Sequence, residues 1–328
     1  MLELRNITKT FELPGTNEKI KALNNVSLTI NDGEFVTVIG SNGSGKSTTM
    51  NILTGAYTPD EGQVLLNGVD VTKMKEHQRA KYFGRVFQDP MMGTASNMSV
   101  LENLEIAFRR GKHHSILRWG FKKENKKFFV EDLMKFNLGI EKRLSKRVGT
   151  MSGGQRQALT LLMATMRDKP THNRIFKDYV TFSGKDPKVA KKEIEDAYNS
   201  ALNDFKNQKL EIKNNKELSK KQRKEAIDKA FQEFDNKVRK FDLTKQILLL
   251  DEHTAALDPK TARKVLELTD YIVKKTGLTT IMITHNMKDA IKYGNRLIMF
   301  KDGQIIYDVK GATKSKLTVE KLLNLFEE

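Results

Sequence analysis

Residues 35 to 55 constrain the fold more than any other stretch, because they combine a buried strand, a glycine-rich loop and a helix. Phe35 to Ile39 is a short apolar, β-branched run of the kind that forms buried parallel strands. From Gly40 to Ser47 the loop fills the pattern G-x-x-x-x-G-K-[ST], and Thr48 begins a helical pattern. A strand, such a loop and a helix start together form a phosphate-binding unit.

Each residue type in this loop has a chemical role toward phosphate. Gly40, Gly43 and Gly45 allow positive φ, so that successive N–H groups turn inward and bind an anion. The helix that follows adds free N–H groups and the positive end of its dipole. Lys46 supplies a point charge for β- and γ-phosphates, and the Ser47 hydroxyl can bind Mg²⁺. The alternative is a glycine-rich turn that binds nothing, and the complete pattern argues against it.

Composition narrows the classes of protein that remain. A chain of 328 residues can bury a sizeable core and carry an appendage. The chain has no cysteine, which excludes disulfides and thiolate metal sites. Neither a signal peptide nor an apolar run of membrane-spanning length is expected. The net charge of +17 suits nucleic acid, an anionic membrane surface or nucleotide, but we expect lysines spread over a solvated surface to explain most of it.

The first third of the chain favours antiparallel strands around the phosphate-binding unit. Polar and apolar residues alternate over residues 1–32, with Phe11 at the end of the first predicted strand. Residues 60–72 contain a second hairpin pattern, in which Asn67-Gly68 predicts a type I′ turn.

The middle of the chain is predicted to be largely helical over residues 97–165. Ser152 is a natural N-cap, and the helix that follows is apolar on nearly all sides over residues 158–166, so we expect it to be buried. The basic segment from Arg109 to Lys127 holds the only tryptophan, Trp119. A solvated face is the ordinary interpretation of such a charge run, and a membrane-surface contact is the alternative.

Residues 171–246 differ in composition from the rest of the chain. They hold 19 lysines and arginines and 13 aspartates and glutamates, a net charge of +6. Glycine and proline are nearly absent after Pro187, which favours helix, and Asn214-Asn215 offers a turn. We predict an antiparallel helical hairpin, with a disordered lysine-rich loop as the alternative. Its predicted seam comprises Ile194, Tyr198, Ala201, Phe205, Ile227, Ala230, Phe234, Val238 and Phe241.

Three short apolar strands are predicted to end at Gly40, Asp251 and His285. Ligands of parallel α/β sheets bind at the carboxyl ends of the strands, so these residues can converge on one ligand. Asp251 suits Mg²⁺ as the acidic partner of Ser47. Glu252 is the natural general base for an attacking water, and His285 can contact the γ-phosphate or orient that water.

The order of these motifs resembles that of the ATP-binding subunits of ABC transporters. The resemblance covers residues 1–168 and 246–310, and the Ser-Gly-Gly-Gln segment separates this family from other P-loop ATPases. The motifs that carry it are Lys46 in its loop, Gln88, Ser152-Gly153-Gly154-Gln155, Asp251-Glu252, Ala256-Leu257-Asp258 and His285.

The resemblance implies an α/β fold: a P-loop NTPase core, an antiparallel β subdomain and a helical signature subdomain at about residues 90–168. The ATPase domain would comprise residues 1–170 and 246–328. Residues 171–245, which we call the insertion, would add the lysine-rich helical hairpin. Because the insertion precedes the strand that ends at Asp251, we expect it to project away from ATP.

The resemblance also implies roles for the matching residues, with ATP and Mg²⁺ as substrate and cofactor. Glu252, His285 and Gln88 would act in hydrolysis, and Ser47, Gln88 and Asp251 would hold the metal. Phe11 would stack on adenine, and Asp258 would couple two sites across a dimer. The implied nucleotide-binding set is Phe11, Gly40, Ser41, Asn42, Gly43, Ser44, Gly45, Lys46, Ser47, Thr48, Ser152, Gly153, Gly154, Gln155 and Asp258.

The family implies partners as well. A second ATPase subunit, most simply an identical copy, would cover the γ-phosphate with its Ser152 to Gln155. Transmembrane permease subunits and a substrate-binding protein would complete an uptake system at the cytoplasmic face of the membrane. The sequence from Glu252 to Pro259 resembles a subgroup for which amino acids are a candidate substrate class. Met151, His253 and Ala255 depart from the usual leucine, proline and serine.

Two other functions compete with transport. A soluble ABC-type ATPase acting on ribosomes or nucleic acid would use the basic surface for affinity. Such factors usually join two cassettes, whereas this chain has one phosphate loop, so no specific nucleic acid is expected. A non-hydrolytic scaffold is the third hypothesis, and the intact Glu252 and His285 count against it.

Overall fold

The computed structural model describes residues 1–13, 15, 18–109, 123–134, 139–166, 172–215, 217–241 and 246–327. Most of the basic segment with Trp119 lies outside this range. So do Pro14, Thr16 and Asn17 of the polar turn that the sequence predicts between the first two strands. The strands are β1 (Leu2–Glu12), β2 (Lys19–Ile30), β3 (Phe35–Gly40), β4 (Glu61–Leu66), β5 (Val69–Asp70), β6 (Phe83–Val86), β7 (Ile247–Asp251), β8 (Thr279–Ile283), β9 (Arg296–Lys301) and β10 (Gln304–Lys310).

The helices fill the stretches between the strands. They are α1 (Lys46–Thr54), α2 (Glu76–Arg79), α3 (Val100–Phe108), α4 (Lys123–Met134), α5 (Gly153–Thr165), α6 (His172–Phe182), α7 (Pro187–Asn214), α8 (Lys220–Arg239), α9 (Pro259–Thr276), α10 (Met287–Lys292), α11 (Gly311–Ser315) and α12 (Val319–Glu327). Among the described residues, no helix is both long and apolar enough to cross a membrane.

Two sheets organise the part of the chain outside residues 171–245. The larger sheet has the order β10-β9-β3-β8-β7-β6, and β3 lies at its centre with parallel neighbours on both sides. Only β10 joins it antiparallel, through the hairpin with β9. The smaller sheet has the order β2-β1-β4-β5. These sheets are the predicted α/β core and antiparallel β subdomain.

The strands of the larger sheet form where the sequence is apolar on both faces. All six residues of β3 are buried, as are the five residues of β8. Such continuous burial is typical of a parallel strand with helices packed on both faces. The carboxyl ends of β3, β7 and β8 therefore lie at one edge of the sheet, as predicted from their sequences.

Local signals determine several boundaries. Asn67 and Gly68 have φ values of 51° and 81°, as the type I′ turn between β4 and β5 requires. Ser152 caps α5, because its side chain accepts a hydrogen bond from the Gln155 N–H at 3.3 Å. The helical region predicted over residues 97–165 contains α3, α4 and α5, which share one apolar core.

The described chain divides into two compact units. The first comprises Met1–Leu65, Asp70–Asp168 and Gln246–Glu328, and the second comprises Leu66–Val69 and Lys169–Lys245. The second unit contains the predicted hairpin as α7 and α8, joined at Asn215, and adds α6, which the periodicity did not predict. Its apolar cluster comprises Ile175, Tyr179, Ala190, Ile194, Ala201, Phe234 and Val238.

Candidate functional site

The phosphate loop between β3 and α1 has the backbone that its glycines predict. Gly43 and Gly45 have φ values of 80° and 100°, which L-residues rarely adopt. A Cβ atom on Gly45 would lie 2.6 Å from the carbonyl oxygen of Ala22, so glycine is also required by space. Helix α1 then begins at Lys46 and directs its free N–H groups toward the loop.

Lys46 is buried and is held by its own loop. Its Nζ donates to the carbonyl oxygens of Gly40 at 2.9 Å and Ser41 at 2.8 Å. Burial lowers the pKa of Lys46, and the charges of Glu252 and Asp251 partly oppose that shift. The ammonium group therefore lies in the field of the two carboxylates that follow β7.

A cavity of about 530 Å³ brings four of the predicted site residues together. We call it the carboxylate cavity. Its walls come from the phosphate loop, from the segment after β6 and from the end of β7, which are distant in sequence and adjacent through the parallel sheet. The lining residues are Ser47, Asn51, Arg85, Phe87, Gln88, Asp89, Met92, Asp251, Glu252 and Ala256.

Glu252, which lines this cavity, is in direct contact with His285, which does not. Glu252 Oε1 lies 2.5 Å from His285 Nε2, and their side chains are 15% and 44% exposed. The Glu252 backbone has a positive φ of 46° and donates its N–H to the Ile283 carbonyl. A non-glycine residue in this conformation is strained, and such strain is common at catalytic positions. The structure thus brings the predicted base, Glu252, into hydrogen-bond distance of the predicted orienting residue, His285.

Asp251 has a partner that the sequence did not predict. Arg85 on β6 donates from Nη2 to Asp251 Oδ2 at 2.8 Å and from Nη1 to Asn51 Oδ1 at 2.7 Å. Its guanidinium carbon also lies 4.7 Å from the centroid of the Phe87 ring. Arg85 is a strand residue without a motif, so only the pairing of β6 with β7 reveals its position.

Phe11 does not line the carboxylate cavity. Its ring makes an edge contact with Tyr57 at a centroid distance of 5.3 Å, and Lys9 Nζ lies 5.5 Å from the same centroid. Both rings keep solvent-accessible surface. An accessible aromatic pair offers a stacking surface for a base, which is compatible with the role that the sequence implied.

The Ser-Gly-Gly-Gln segment, Ser152 to Gln155, is likewise absent from the residues that line the carboxylate cavity. It forms the start of α5, where Ser152 is exposed and Gly154 packs close to Thr261. Asp258 caps α9 by accepting from the Thr261 N–H at 3.1 Å, and these hydrogen bonds lower the pKa of its carboxyl. Like the start of α1, the start of α5 presents backbone N–H groups of the kind that can bind an anion.

His253 follows Glu252 directly, but its side chain is buried and does not line the carboxylate cavity. It is fully buried, and burial lowers its pKa to about 4. Its Nε2 lies 3.2 Å from Thr269 Oγ1, which itself donates to the Val265 carbonyl. The hydroxyl therefore accepts from the ring, and His253 is a neutral donor at pH 7.

The donor set of the carboxylate cavity fits Mg²⁺. Ser47, Gln88 and Asp251 present a hydroxyl, an amide carbonyl and a carboxylate, which are hard oxygen ligands. Within the described ranges, no cluster of three or more histidine, cysteine or acidic residues forms a self-contained metal cage. Three oxygen donors without a larger acidic cluster suit a metal that is bound partly by the protein and partly by nucleotide phosphates. The glycine-rich loop with Lys46 fits the phosphates themselves.

These features define a class of protein. A P-loop after the central strand β3, a histidine after the neighbouring strand β8, an acidic pair at the end of β7 beyond it and a serine-glycine helix start make this an ATP-binding cassette of the P-loop ATPases. The model of the ABC transporter family matches residues 23–173.

Relatives extend the match over the whole chain. A tyrosine transport ATP-binding protein of Clostridioides difficile (strain R20291) is 35% identical over 328 residues, which cover all of this chain and 99% of the relative. The methionine import ATP-binding protein MetN 2 of Enterococcus faecalis is 26% identical over 94% of this chain and 65% of that protein. The chain belongs to the ATP-binding subunits of the ABC transporter family and is an ATPase of that family.

A solved structure shows the same fold. The ATP-binding cassette MJ0796 of Methanocaldococcus jannaschii, determined as a dimer with ADP and Pi, has a TM-score of 0.61 and 23% identity. The match covers 94% of this chain and 98% of that one. The predicted α/β cassette fold is therefore confirmed.

Proposed function

We propose that this subunit hydrolyses Mg·ATP in the carboxylate cavity and drives an uptake transporter. The contact between Glu252 and His285, at the edge of a cavity that also holds Ser47 and Asp251, is the observation that carries the proposal. It joins a carboxylate base to an orienting imidazole beside a phosphate loop. Phosphoryl transfer depends chiefly on positioning and on charge stabilisation, and this arrangement supplies both.

Each residue then has a defined task. Glu252 takes a proton from the attacking water, and His285 fixes the orientation of the carboxylate through their contact. Lys46 exchanges its loop carbonyls for phosphate oxygens and offsets their charge. Ser47, Gln88 and Asp251 would hold Mg²⁺, which when bound supplies further charge neutralisation on the phosphates.

We further propose that hydrolysis requires a second copy of the chain. Ser152 to Gln155 and Asp258 lie at helix starts that do not line the carboxylate cavity. Backbone N–H groups at the start of α5 can bind a γ-phosphate held by another subunit. Two chains related by a two-fold axis would then enclose two ATP molecules, each between one phosphate loop and one Ser-Gly-Gly-Gln segment.

The partners proposed are transmembrane permease subunits and a substrate-binding protein, with the ATPase at the cytoplasmic face of the membrane. Amino acids are the proposed substrate class, and the relative named for tyrosine transport supports an aromatic amino acid within it. The methionine import protein supports uptake as the direction. Co-purification with a permease encoded nearby, and ATPase stimulation by that permease with its binding protein and tyrosine, would test this assembly.

The test of the catalytic proposal is the substitution Glu252→Gln. We expect ATP hydrolysis to fall by at least about 100-fold, since a positioned general base is lost while the cavity keeps its shape. The variant should retain ATP and accumulate as a nucleotide-bound dimer, measured by size-exclusion chromatography with light scattering. Hydrolysis at the wild-type rate in Glu252→Gln would overturn the assignment of the base.

A further inference from the structure

Arg85 is the positively charged side chain among the residues that line the carboxylate cavity, and no motif explains its presence there. It contacts two of the elements that form the nucleotide site: Asp251 at the end of β7 and Asn51 on α1, at 2.8 Å and 2.7 Å. The ring of Phe87 covers the guanidinium from one side. These contacts fix the group against the one carboxylate that the Mg²⁺ site requires.

A contribution to fold stability alone does not explain the ion pair between Arg85 and Asp251. The side chains of Arg85 and Asp251 are only 16% and 15% exposed, so both charges are largely desolvated. Within the part of the chain that the structure describes, Arg85 Nε is buried and has no hydrogen-bond partner. Apolar residues of similar volume usually stabilise a fold as well as such an ion pair or better. A largely buried cation on a carboxylate of the proposed metal site is better explained by a role toward the ligand.

We propose that Arg85 is a positioning residue that shares the Asp251 carboxylate with Mg²⁺ and thereby sets how strongly the metal favours ATP binding. This inference rests on the proposed Mg·ATP site. Arg85 holds Oδ2 of Asp251, which leaves Oδ1 as the oxygen for the metal. The guanidinium also bonds to Asn51, which lies on α1 together with Ser47. This bridge fixes the direction of the free Asp251 oxygen relative to the Ser47 hydroxyl.

The charge of Arg85 acts in opposite directions on the two forms of the ligand. Metal-free ATP is highly anionic, so an unpaired Asp251 carboxylate would repel it, and Arg85 weakens that repulsion. Mg·ATP brings its own cation to Oδ1 of Asp251, and the positive charge of Arg85 on Oδ2 weakens the attraction between that cation and the carboxylate. Removing the guanidinium should therefore weaken the binding of metal-free ATP and favour the binding of Mg·ATP.

The experiment measures the affinity of the full-length protein for a fluorescent ATP analogue, once with Mg²⁺ and once with EDTA. The readout is the ratio of the two dissociation constants, Kd in EDTA over Kd in Mg²⁺. For Arg85→Met we expect this ratio to rise about tenfold, equivalent to about 1.4 kcal/mol. Arg85→Lys keeps a charge but cannot bridge Asn51 and Asp251 together, so its ratio should lie between those of wild type and Arg85→Met.

Two further variants test the role of Arg85 separately from the proposed Mg²⁺ site. Asp251→Asn should lower the ratio toward one, and adding Arg85→Met to it should then change nothing, since Arg85 acts through Asp251. Arg5→Met is the control for the loss of one cation elsewhere in the chain, because the more exposed Arg5 makes a 2.7 Å ion pair to Glu3 in the smaller sheet. Its ratio should equal that of wild type.

The outcomes distinguish failure of the proposed Mg²⁺ site from failure of the inference about Arg85. A wild-type ratio near one, unaffected by Asp251→Asn, would overturn the proposed Mg²⁺ site itself. A wild-type ratio that depends on Asp251 but is unchanged in both Arg85→Met and Arg85→Lys would overturn the role of Arg85 alone. An equal effect of Arg85→Met with and without Asp251 would show that Arg85 acts independently of the carboxylate, and would also overturn the inference.

Discussion

Gly43 and Gly45 lie two residues apart in the phosphate loop, yet they are glycine for different reasons. Both have positive φ, but the space around a Cβ atom on Gly43 is open within 4 Å. On Gly45 the same atom would meet Ala22 and Leu23 of β2 at 2.6 Å. The loop is therefore shaped by backbone conformation at one glycine, and by conformation and close packing at the other.

This difference predicts unequal effects of alanine. Gly43→Ala should destabilise the protein by about 1 kcal/mol, since only the left-handed conformation is penalised. Gly45→Ala should destabilise it by about 3 kcal/mol, because overpacking is added to the same strain. Urea unfolding of the two variants, monitored by circular dichroism, measures both values. Equal destabilisation would show that packing against β2 does not constrain the loop.

At the residue scale, the sequence predicted the site where a motif fixes its chemistry. Ser47, Gln88, Asp251 and Glu252 were each predicted, and the structure brings them into one cavity. Arg85 was not predicted, because its role depends on a pairing between β6 and β7 that joins residues more than 160 positions apart. Patterns within one strand carry no information about which carboxylate lies on the neighbouring strand.

The helices of the insertion form an aromatic seam. Phe234 on α8 is 5% exposed and stacks on Phe205 of α7 with ring centroids 5.6 Å apart. Tyr198 of α7 makes an edge contact with the Phe234 ring, with centroids 5.7 Å apart. Lys237 and Asp204 add an exposed ion pair between the two helices. Since exposed pairs contribute little, the aromatic contacts carry most of the stability of the hairpin.

Phe234→Ala should therefore loosen α7 and α8. We expect a loss of about 3–5 kcal/mol from the removed ring and the cavity left behind. Phe231→Ala is the comparison variant. The Phe231 ring also contacts Phe205 and Phe234, at centroid distances of 5.8 Å and 6.0 Å, but it is 48% exposed and so loses less buried surface. Its loss should be below about 1 kcal/mol. Amide hydrogen exchange over residues 187–239 measures both, and equal exchange in the two variants would contradict the seam.

The elements of the insertion were only partly predictable. Apolar residues spaced three and four apart predicted α7 and α8, because that spacing lines one helical face. Helix α6 was missed, since His172–Phe182 contains several residues of modest helix propensity, among them threonine, valine and asparagine. Its helical state depends on burial of Ile175 and Tyr179 in the cluster with α7 and α8, and a local pattern does not report such packing.

At the scale of the whole molecule, the insertion begins and ends at neighbouring points of the ATPase unit. Gln246, just before β7, donates from Nε2 to the carbonyl oxygen of Ala164 near the end of α5 at 2.7 Å. Gly84 permits this approach, since a Cβ there would lie 2.1 Å from the same oxygen. The chain can thus leave and re-enter the ATPase unit without disturbing the order of its strands.

Deletion of the insertion should therefore preserve the ATPase. We expect a chain in which a short glycine-serine linker joins Met166 to Gln246 to bind ATP and to hydrolyse it within about twofold of the wild-type rate, because separate compact units contribute independently. Nucleotide titration and phosphate release measure both properties. A deletion variant that aggregates or fails to bind ATP would show instead that the ATPase unit requires the insertion to fold.

The position of Lys46 has a consequence for which anions the loop accepts. Because its ammonium group already donates to Gly40 and Ser41, an incoming phosphate exchanges with bonds that the loop makes to itself. Inorganic phosphate offers few other contacts to offset that exchange, whereas a nucleotide adds contacts along its base, ribose and remaining phosphates. We therefore expect the self-bonded loop to bind nucleotides in preference to inorganic phosphate.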